Sequence, residues 1–246
     1  MKTHIRHSLK SLVLATALAA LSVFPAVADN GRPLTVVELF TSQGCSSCPP
    51  ADALLGELSK RADVLALSVH VDYWDYIGWK DPFASPKNTA RQHRYAKTLG
   101  MRYVYTPQLV IQGADHVVGS DRTKILAKIA KAAKLDRVAV GIRRDGDGVR
   151  VSVPAAHGEQ AAVWLAVYDS RRDTVIKRGE NSGRTLSYYN VVRGMTRIGT
   201  WSGQAMDIRT SMADIASQGS DNCAVILQSL KTGRILGVAR VALDKS

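Results

Sequence analysis

The chain has 246 residues, 46% of them hydrophobic, and its 33 lysines and arginines against 21 aspartates and glutamates give a formal charge of +12. This is a globular composition with material for a sizeable core, which excludes a disordered or fibrous chain. The cations fall in separate short groups, Arg143-Arg144, Arg171-Arg172 and the lysines of 124 to 134, so they read as solvated faces and argue against nucleic-acid recognition.

The amino terminus carries Lys2, Arg6 and Lys10 without acids, then an apolar run from Leu12 to Phe24, then Ala26-Val27-Ala28. These are the basic region, apolar core and small-residue cleavage site of a secretory signal, so residues 1–28 are expected to be removed and the mature chain to begin at Asp29. The apolar run is too short, and too soon followed by Pro25, for a membrane-spanning helix. A periplasmic or secreted protein is expected, of about 218 residues and charge +9 once the three signal cations are gone. That destination is oxidising and tolerates disulfides.

Leu34 to Phe40 is an apolar run of strand length, and Pro49 to Arg61 places Leu54, Leu55 and Leu58 on one helical face. Between them stands Cys45-Ser46-Ser47-Cys48. A CxxC where a strand gives way to a helix suits thiol-disulfide exchange, because unpaired N–H groups and the positive end of the helix dipole stabilise a thiolate at the first cysteine. A second buried strand is expected over Val64 to Val71, followed by an aromatic-rich segment. Ser85-Pro86 is an N-cap and first-turn signal for a helix running toward Leu99. Gln108 to Gln112 reads as a strand, His116 to Val118 as a short one, and Asp121 caps a helix with Ile125, Leu126, Ile129, Ala130 and Ala133 on its apolar side.

The order β-α-β-α-β-β-α over residues 34 to 135, with CxxC after the first strand and Pro107 just before the third, resembles the thioredoxin fold. The resemblance implies that Pro107 is a cis-proline facing the cysteines, and that Thr106 and Pro107 hold the backbone of a substrate chain. It also implies that Glu38, a carboxylate in an apolar strand, moves a proton for the cysteine pair; a strand face open to water is the other reading of this residue. The chain departs from the thioredoxin pattern in having Gly44 before the first cysteine and two serines between the pair, so oxidase, reductase and isomerase directions all stay open. The segments 38–52 and 70–75, with Gly179-Glu180-Asn181 and Gly183-Arg184, resemble a family of bacterial secreted thioredoxin-like proteins of unknown function, a match that covers most of the mature chain.

The segment His70 to Phe83 contains Tyr73, Trp74, Tyr76, Trp79 and Phe83 with Asp72, Asp75 and Asp81. Tyr73, Trp74 and Trp79, with Gly44, are candidates for contact with a peptide or small apolar ligand, and packing onto the sheet as a structural cap is the alternative. His70, Asp72, Asp75 and the two cysteines have donor types suited to copper or zinc, but no second CxxC or histidine pair accompanies them, and no metal or organic cofactor is expected.

From residue 136 the texture changes. Arg137 to Arg143 and Val149 to Val153 flank Asp145-Gly146-Asp147-Gly148 as a hairpin, and Ala162 to Tyr168, Leu186 to Val192, Ala224 to Leu230 and Ile235 to Ala242 are further strands. A second, β-rich antiparallel domain is expected over 136–246, resembling a small sandwich. Arg178 to Arg184 reads as a polar turn or a recognition loop. Cys223 stands alone and reads as a buried small hydrophobe, with pairing between chains or a reactive thiol as the alternative.

The expected function is that of an exported thiol-disulfide oxidoreductase, with Cys45 as attacking thiolate, Cys48 as resolving thiol, Glu38 as proton carrier, and protein thiols or disulfides as partners. A ligand- or peptide-binding protein with a permanent Cys45–Cys48 bridge and a copper or zinc metallochaperone are the alternatives.

Overall fold

Seven consecutive buried residues, Thr35–Thr41, form strand β1, and the reason they are all buried is that both neighbours in the sheet and both faces are covered. The structure is a computed structural model that describes residues 33–211 and 220–243; the expected signal peptide lies outside them. β1 is followed by α1 (Pro49–Leu58), β2 (Val64–His70), α2 (Pro86–Thr98), β3 (Gln108–Ile111), β4 (Asp115–Val118) and α3 (Arg122–Ala132). Next come β5 (Gly141–Asp145), β6 (Gly148–Val153), β7 (Ala161–Val175), β8 (Thr185–Trp201), β9 (Met206–Ser211), β10 (Asn222–Ser229) and β11 (Ile235–Ala242). β1 runs parallel to β2 and antiparallel to β3.

The helices begin where their caps say. Ser85 accepts from the Asn88 amide at 3.2 Å with Pro86 as first helical residue, and Asp121 accepts from the Lys124 amide at 3.1 Å. Odd and even residues of β1 part to opposite faces. Val37 and Leu39 meet Leu54, Leu55 and Leu58 of α1 and Ile125 and Ile129 of α3. Val36 and Phe40 meet Tyr95 of α2 together with Tyr168, Val192, Ile226 and Ile235.

That second cluster joins the two halves of the chain, and the sheet itself is continuous through them, in the order β11-β10-β7-β8-β2-β1-β3-β4. β5, β6 and β9 form a separate sheet, whose Val149, Val151 and Val153 pack with Val163, Leu165, Val225 and Leu227 of the large one. The molecule is thus a mixed α/β structure with a large mixed sheet, three α-helices among the described residues, and a β-rich second half. Asp145 pairs with Gly148 across a two-residue turn in which Gly146 has φ of 63°, the left-handed geometry that such a turn requires.

The strands of the second half are longer than their apolar cores suggest. β10 covers β7 only as far as Tyr168, and β8 meets β2 at Val191, so Asp169–Val175 and Thr185–Tyr189 continue as a two-stranded arm. Polar residues such as Arg171, Arg172 and Asp173 fill the arm because water reaches them there. At its base Asn190 has a φ of 47°, which asparagine tolerates, and donates its side-chain amide to the Ala66 carbonyl at 2.8 Å. The arm's tip, residues 176–184, reaches the CxxC.

Candidate functional site

After β1 the chain makes two tight turns, with the Cys45 amide on the Ser42 carbonyl and the Cys48 amide on the Cys45 carbonyl, both at 3.2 Å. Cys48 is the N-cap of α1 and has no capping side chain; Pro49 and Pro50, which carry no N–H, remove two of the donors that a cap would serve. Cys45 and Cys48 form a disulfide. Their side chains are 1% and 0% exposed, whereas Ser46 and Ser47 between them face water.

Thr106 lies against this pair. The Thr106–Pro107 bond is cis, and the Thr106 hydroxyl donates to Cys45 Sγ at 3.3 Å. Ser47 Oγ is 3.4 Å from the same sulfur. Gly119 donates its amide to the Pro107 carbonyl at 2.9 Å, and a larger residue would crowd its neighbours, since a Cβ would stand 2.7 Å from Leu39 Cδ1 and 3.1 Å from Pro107 Cβ.

The aromatic segment braces the site from the side. Trp74 Nε1 donates to the Thr106 hydroxyl at 2.8 Å, Trp79 Nε1 to Gln43 Oε1 at 2.8 Å, and the Tyr73 hydroxyl to Gln92 Oε1 at 3.1 Å. Gly44 allows the close approach, because a Cβ on it would come within 3.2 Å of Trp74 Cβ and 3.1 Å of Ile77 Cδ1. Each of the three aromatic candidates therefore uses its polar hydrogen inside the protein. The outermost rings are Tyr76, 81% exposed and stacked on Trp74, and Tyr103, 73% exposed.

His70, Asp72 and Asp75 do not converge. His70 Nδ1 bonds Asp81 Oδ2 at 2.7 Å with both side chains fully buried, Asp72 accepts from the Thr89 hydroxyl, and Asp75 accepts from the Asp81 amide. Asp81 also accepts from the amide of Gln43 at 2.9 Å. Burial works to raise its carboxyl, but the His70 charge and these hydrogen bonds outweigh burial and hold it below the usual range.

Glu38 lies elsewhere. It is fully buried on the α2 side of β1, where Arg91 Nε and an Arg91 terminal nitrogen donate to its two oxygens at 2.6 and 3.0 Å and the Tyr95 hydroxyl donates as well. A strand face open to water is thus overturned: the side chain turns inward, and the bidentate guanidinium compensates its charge. Gln228 of β10 completes the network by accepting from Arg91 at 3.1 Å.

The carboxylate on the cysteine side is Asp52, which sequence reasoning passed over. It stands one helical turn after Cys48, 4% exposed, with the Thr41 hydroxyl donating to Oδ1 at 2.8 Å and Oδ2 without a partner. Burial raises its carboxyl to about 7, against the lowering pull of His70 and Thr41. His70 Nε2 and the Tyr188 hydroxyl are likewise buried and unpartnered. The available signal was position: residues 48, 52 and 55 share a helix face, and a lone acid on an apolar face needs a partner from elsewhere in the fold.

Asn181, within the Arg178 to Arg184 segment that the sequence leaves as a polar turn or a recognition loop, stands at the tip of the arm. It is 1% exposed, and its Nδ2 donates to the carbonyls of Gln43 at 2.9 Å and Cys45 at 3.0 Å. Glu180 Oε2 accepts from the Ser46 amide at 3.1 Å.

Residues 36–228 match the family described as "Protein of unknown function (DUF1223)". The chain belongs to this family. Among solved structures, that of protein AGR_C_4864 from Agrobacterium tumefaciens is 35% identical, with a TM-score of 0.76 over 86% of this chain and 95% of that one. HBP35 of Porphyromonas gingivalis, 14% identical, shares the fold with a TM-score of 0.60 over 87% of this chain and 76% of its own. No curated protein matches the sequence.

Proposed function

We propose that this DUF1223 chain is an exported thiol-disulfide oxidoreductase whose residues 34 to 135 are a thioredoxin-like unit. The observation that carries the reading is the Cys45–Cys48 disulfide at the start of α1, with the hydroxyl of Thr106, the residue before Pro107, on Cys45 Sγ. The strand order β2-β1-β3-β4, with α1 and α3 on one face and α2 on the other, supports it.

In the reduced protein the Cys45 thiolate attacks one sulfur of a partner disulfide, and the other partner sulfur leaves as a thiolate that takes up a proton. Cys48 then loses its proton and attacks Cys45 Sγ. The Cys45–Cys48 bond forms, the mixed disulfide breaks, and two electrons have passed to the partner. Run backward, the same steps oxidise a partner dithiol. The start of α1 and the hydroxyls of Thr106 and Ser47 favour the thiolate at Cys45.

The test is the reduction potential of the pair, measured with turnover of a model disulfide by the wild type and by Cys45→Ser. Turnover that disappears in the variant supports the reading. A potential below about −300 mV with no turnover by the wild type overturns it.

The burial of both cysteines favours a second reading, a binding protein with a permanent bridge. A groove of about 400 Å³ between α1 and β8, walled by Asp52, Gly56, Lys60, Arg184 and Tyr189, would be its ligand site. For the metallochaperone alternative, no three His, Cys, Asp or Glu side chains are grouped among the described residues, which leaves the two cysteines as the donors it would use.

A further inference from the structure

We infer that Asn181 and Glu180, at the tip of the β7–β8 arm, are positioning residues that set the redox balance of the Cys45–Cys48 pair. The inference rests on the thiol-disulfide reading above and makes the site a composite, with the cysteines supplied by the first half of the chain and their surroundings completed by the second.

The arm does not hold itself in place, because a two-stranded ribbon is marginal alone. Its tip is fastened at several points. Ile176 is fully buried, Thr174 accepts from Gln43 Nε2 at 3.2 Å, and Gly179, with φ of 77°, sits so close to Trp79 that a Cβ would stand 3.3 Å from the Trp79 Cβ. The remaining fastenings fall on the CxxC backbone. The Asn181 side chain has a single workable orientation: Nδ2 lies between the Gln43 and Cys45 carbonyl oxygens, and Oδ1 accepts from Arg184 at 2.9 Å.

These contacts act on Cys45 with opposite sign. The two carbonyls present negative ends beside the residue that must carry a thiolate, and the Asn181 amide neutralises them. Glu180 places a full negative charge at Ser46, one residue from Cys45, where hydrogen bonds from the Ser46 side chain and then from its amide hold the carboxyl below the usual range. Asn181 therefore favours the thiolate and the reduced pair, and Glu180 disfavours them.

The experiment equilibrates the full mature chain, wild type, Asn181→Asp and Glu180→Gln, with glutathione buffers, and follows alkylation of Cys45 against pH in the reduced proteins. In Asn181→Asp a carboxylate replaces the donor to both carbonyls. The equilibrium is expected to move at least tenfold toward the disulfide, about 30 mV for two electrons, with the Cys45 titration displaced upward. Glu180→Gln is expected to move it about threefold the other way, a size suited to an exposed charge, with the titration displaced downward.

Equal equilibria and superimposable profiles overturn the inference, as does a shift of the same sign in both variants. Because Glu180 is solvent-exposed, its variant keeps the test decisive if Asn181→Asp does not fold: no shift, or a shift toward the disulfide, overturns it. A wild-type pair that never exchanges with glutathione overturns the oxidoreductase reading itself, which unchanged variants of an exchanging protein would not.

Discussion

Glu38→Gln separates two roles for a buried carboxylate. In the native chain Glu38 and Arg91 have side chains only 1% and 4% exposed, and the guanidinium reaches both carboxylate oxygens. Removing the negative partner leaves the positive one buried, with Tyr95 and Gln228 as its polar neighbours. Breaking such a pair costs about 3–5 kcal/mol. The amide keeps the shape and one acceptor, which favours the lower figure. In a chain of this length each kcal/mol lowers the melting temperature by about 2–4 °C, so thermal unfolding followed by circular dichroism should drop by roughly 6–12 °C. Adding Arg91→Met should restore part of the loss, because the orphaned charge is then gone too. The pH dependence of cysteine alkylation should be unchanged, since Glu38 and α1 lie on opposite faces of the sheet. A variant that melts within about 2 °C of wild type while its alkylation profile loses an ionisation would refute this reasoning and make Glu38 the proton carrier.

Asp52→Asn should flatten the acid side of the stability profile. With its carboxyl raised from 3.8 to about 7, the folded chain holds a proton that the unfolded chain releases. The stabilisation is complete below about pH 4 and is lost as pH climbs to about 7, by at most about 4 kcal/mol. Urea midpoints at pH 4 and pH 8 should therefore differ less in the variant, and an identical difference in both proteins would exclude Asp52 as the source. Gly119→Ala drives a methyl group to 2.7 Å from Leu39 Cδ1 and 3.0 Å from Ala51 Cβ; a loss of about 1–3 kcal/mol in denaturant is expected, and an unmoved midpoint would count against the packing argument. Burial pushes the Cys223 thiol to about 12, so in the reduced native chain at pH 8 a thiol reagent should leave Cys223 unlabelled and reach it only in denaturant. Three fast-reacting thiols without denaturant would show Cys223 to be accessible.

Local signals were legible where they were complete within a few residues. The Ser85 and Asp121 caps, the apolar runs of β1 and β2 and the Asp145–Gly148 turn needed no distant partner, and the structure places each close to its sequence boundary. The arm was not legible beyond its apolar core, because Asp169–Val175 has the charge of a loop and is a strand only through its long register with β8. β9 escaped for a similar reason: Met206–Ser211 is polar at every second position and becomes a strand by pairing with β6. The aromatic segment announced its composition, but its three indole and phenol donors point to Thr106, Gln43 and Gln92, which no spacing reveals.

The sequence by itself determined the CxxC, the helix start behind it and the strand before it, since backbone propensity and proline geometry act over a few residues. Tertiary structure alone decided which charges surround the cysteines. Glu38 meets Arg91 across 53 positions and Asn181 meets Gln43 across 138, and a buried polar group takes whichever complementary partner the fold brings within hydrogen-bond distance.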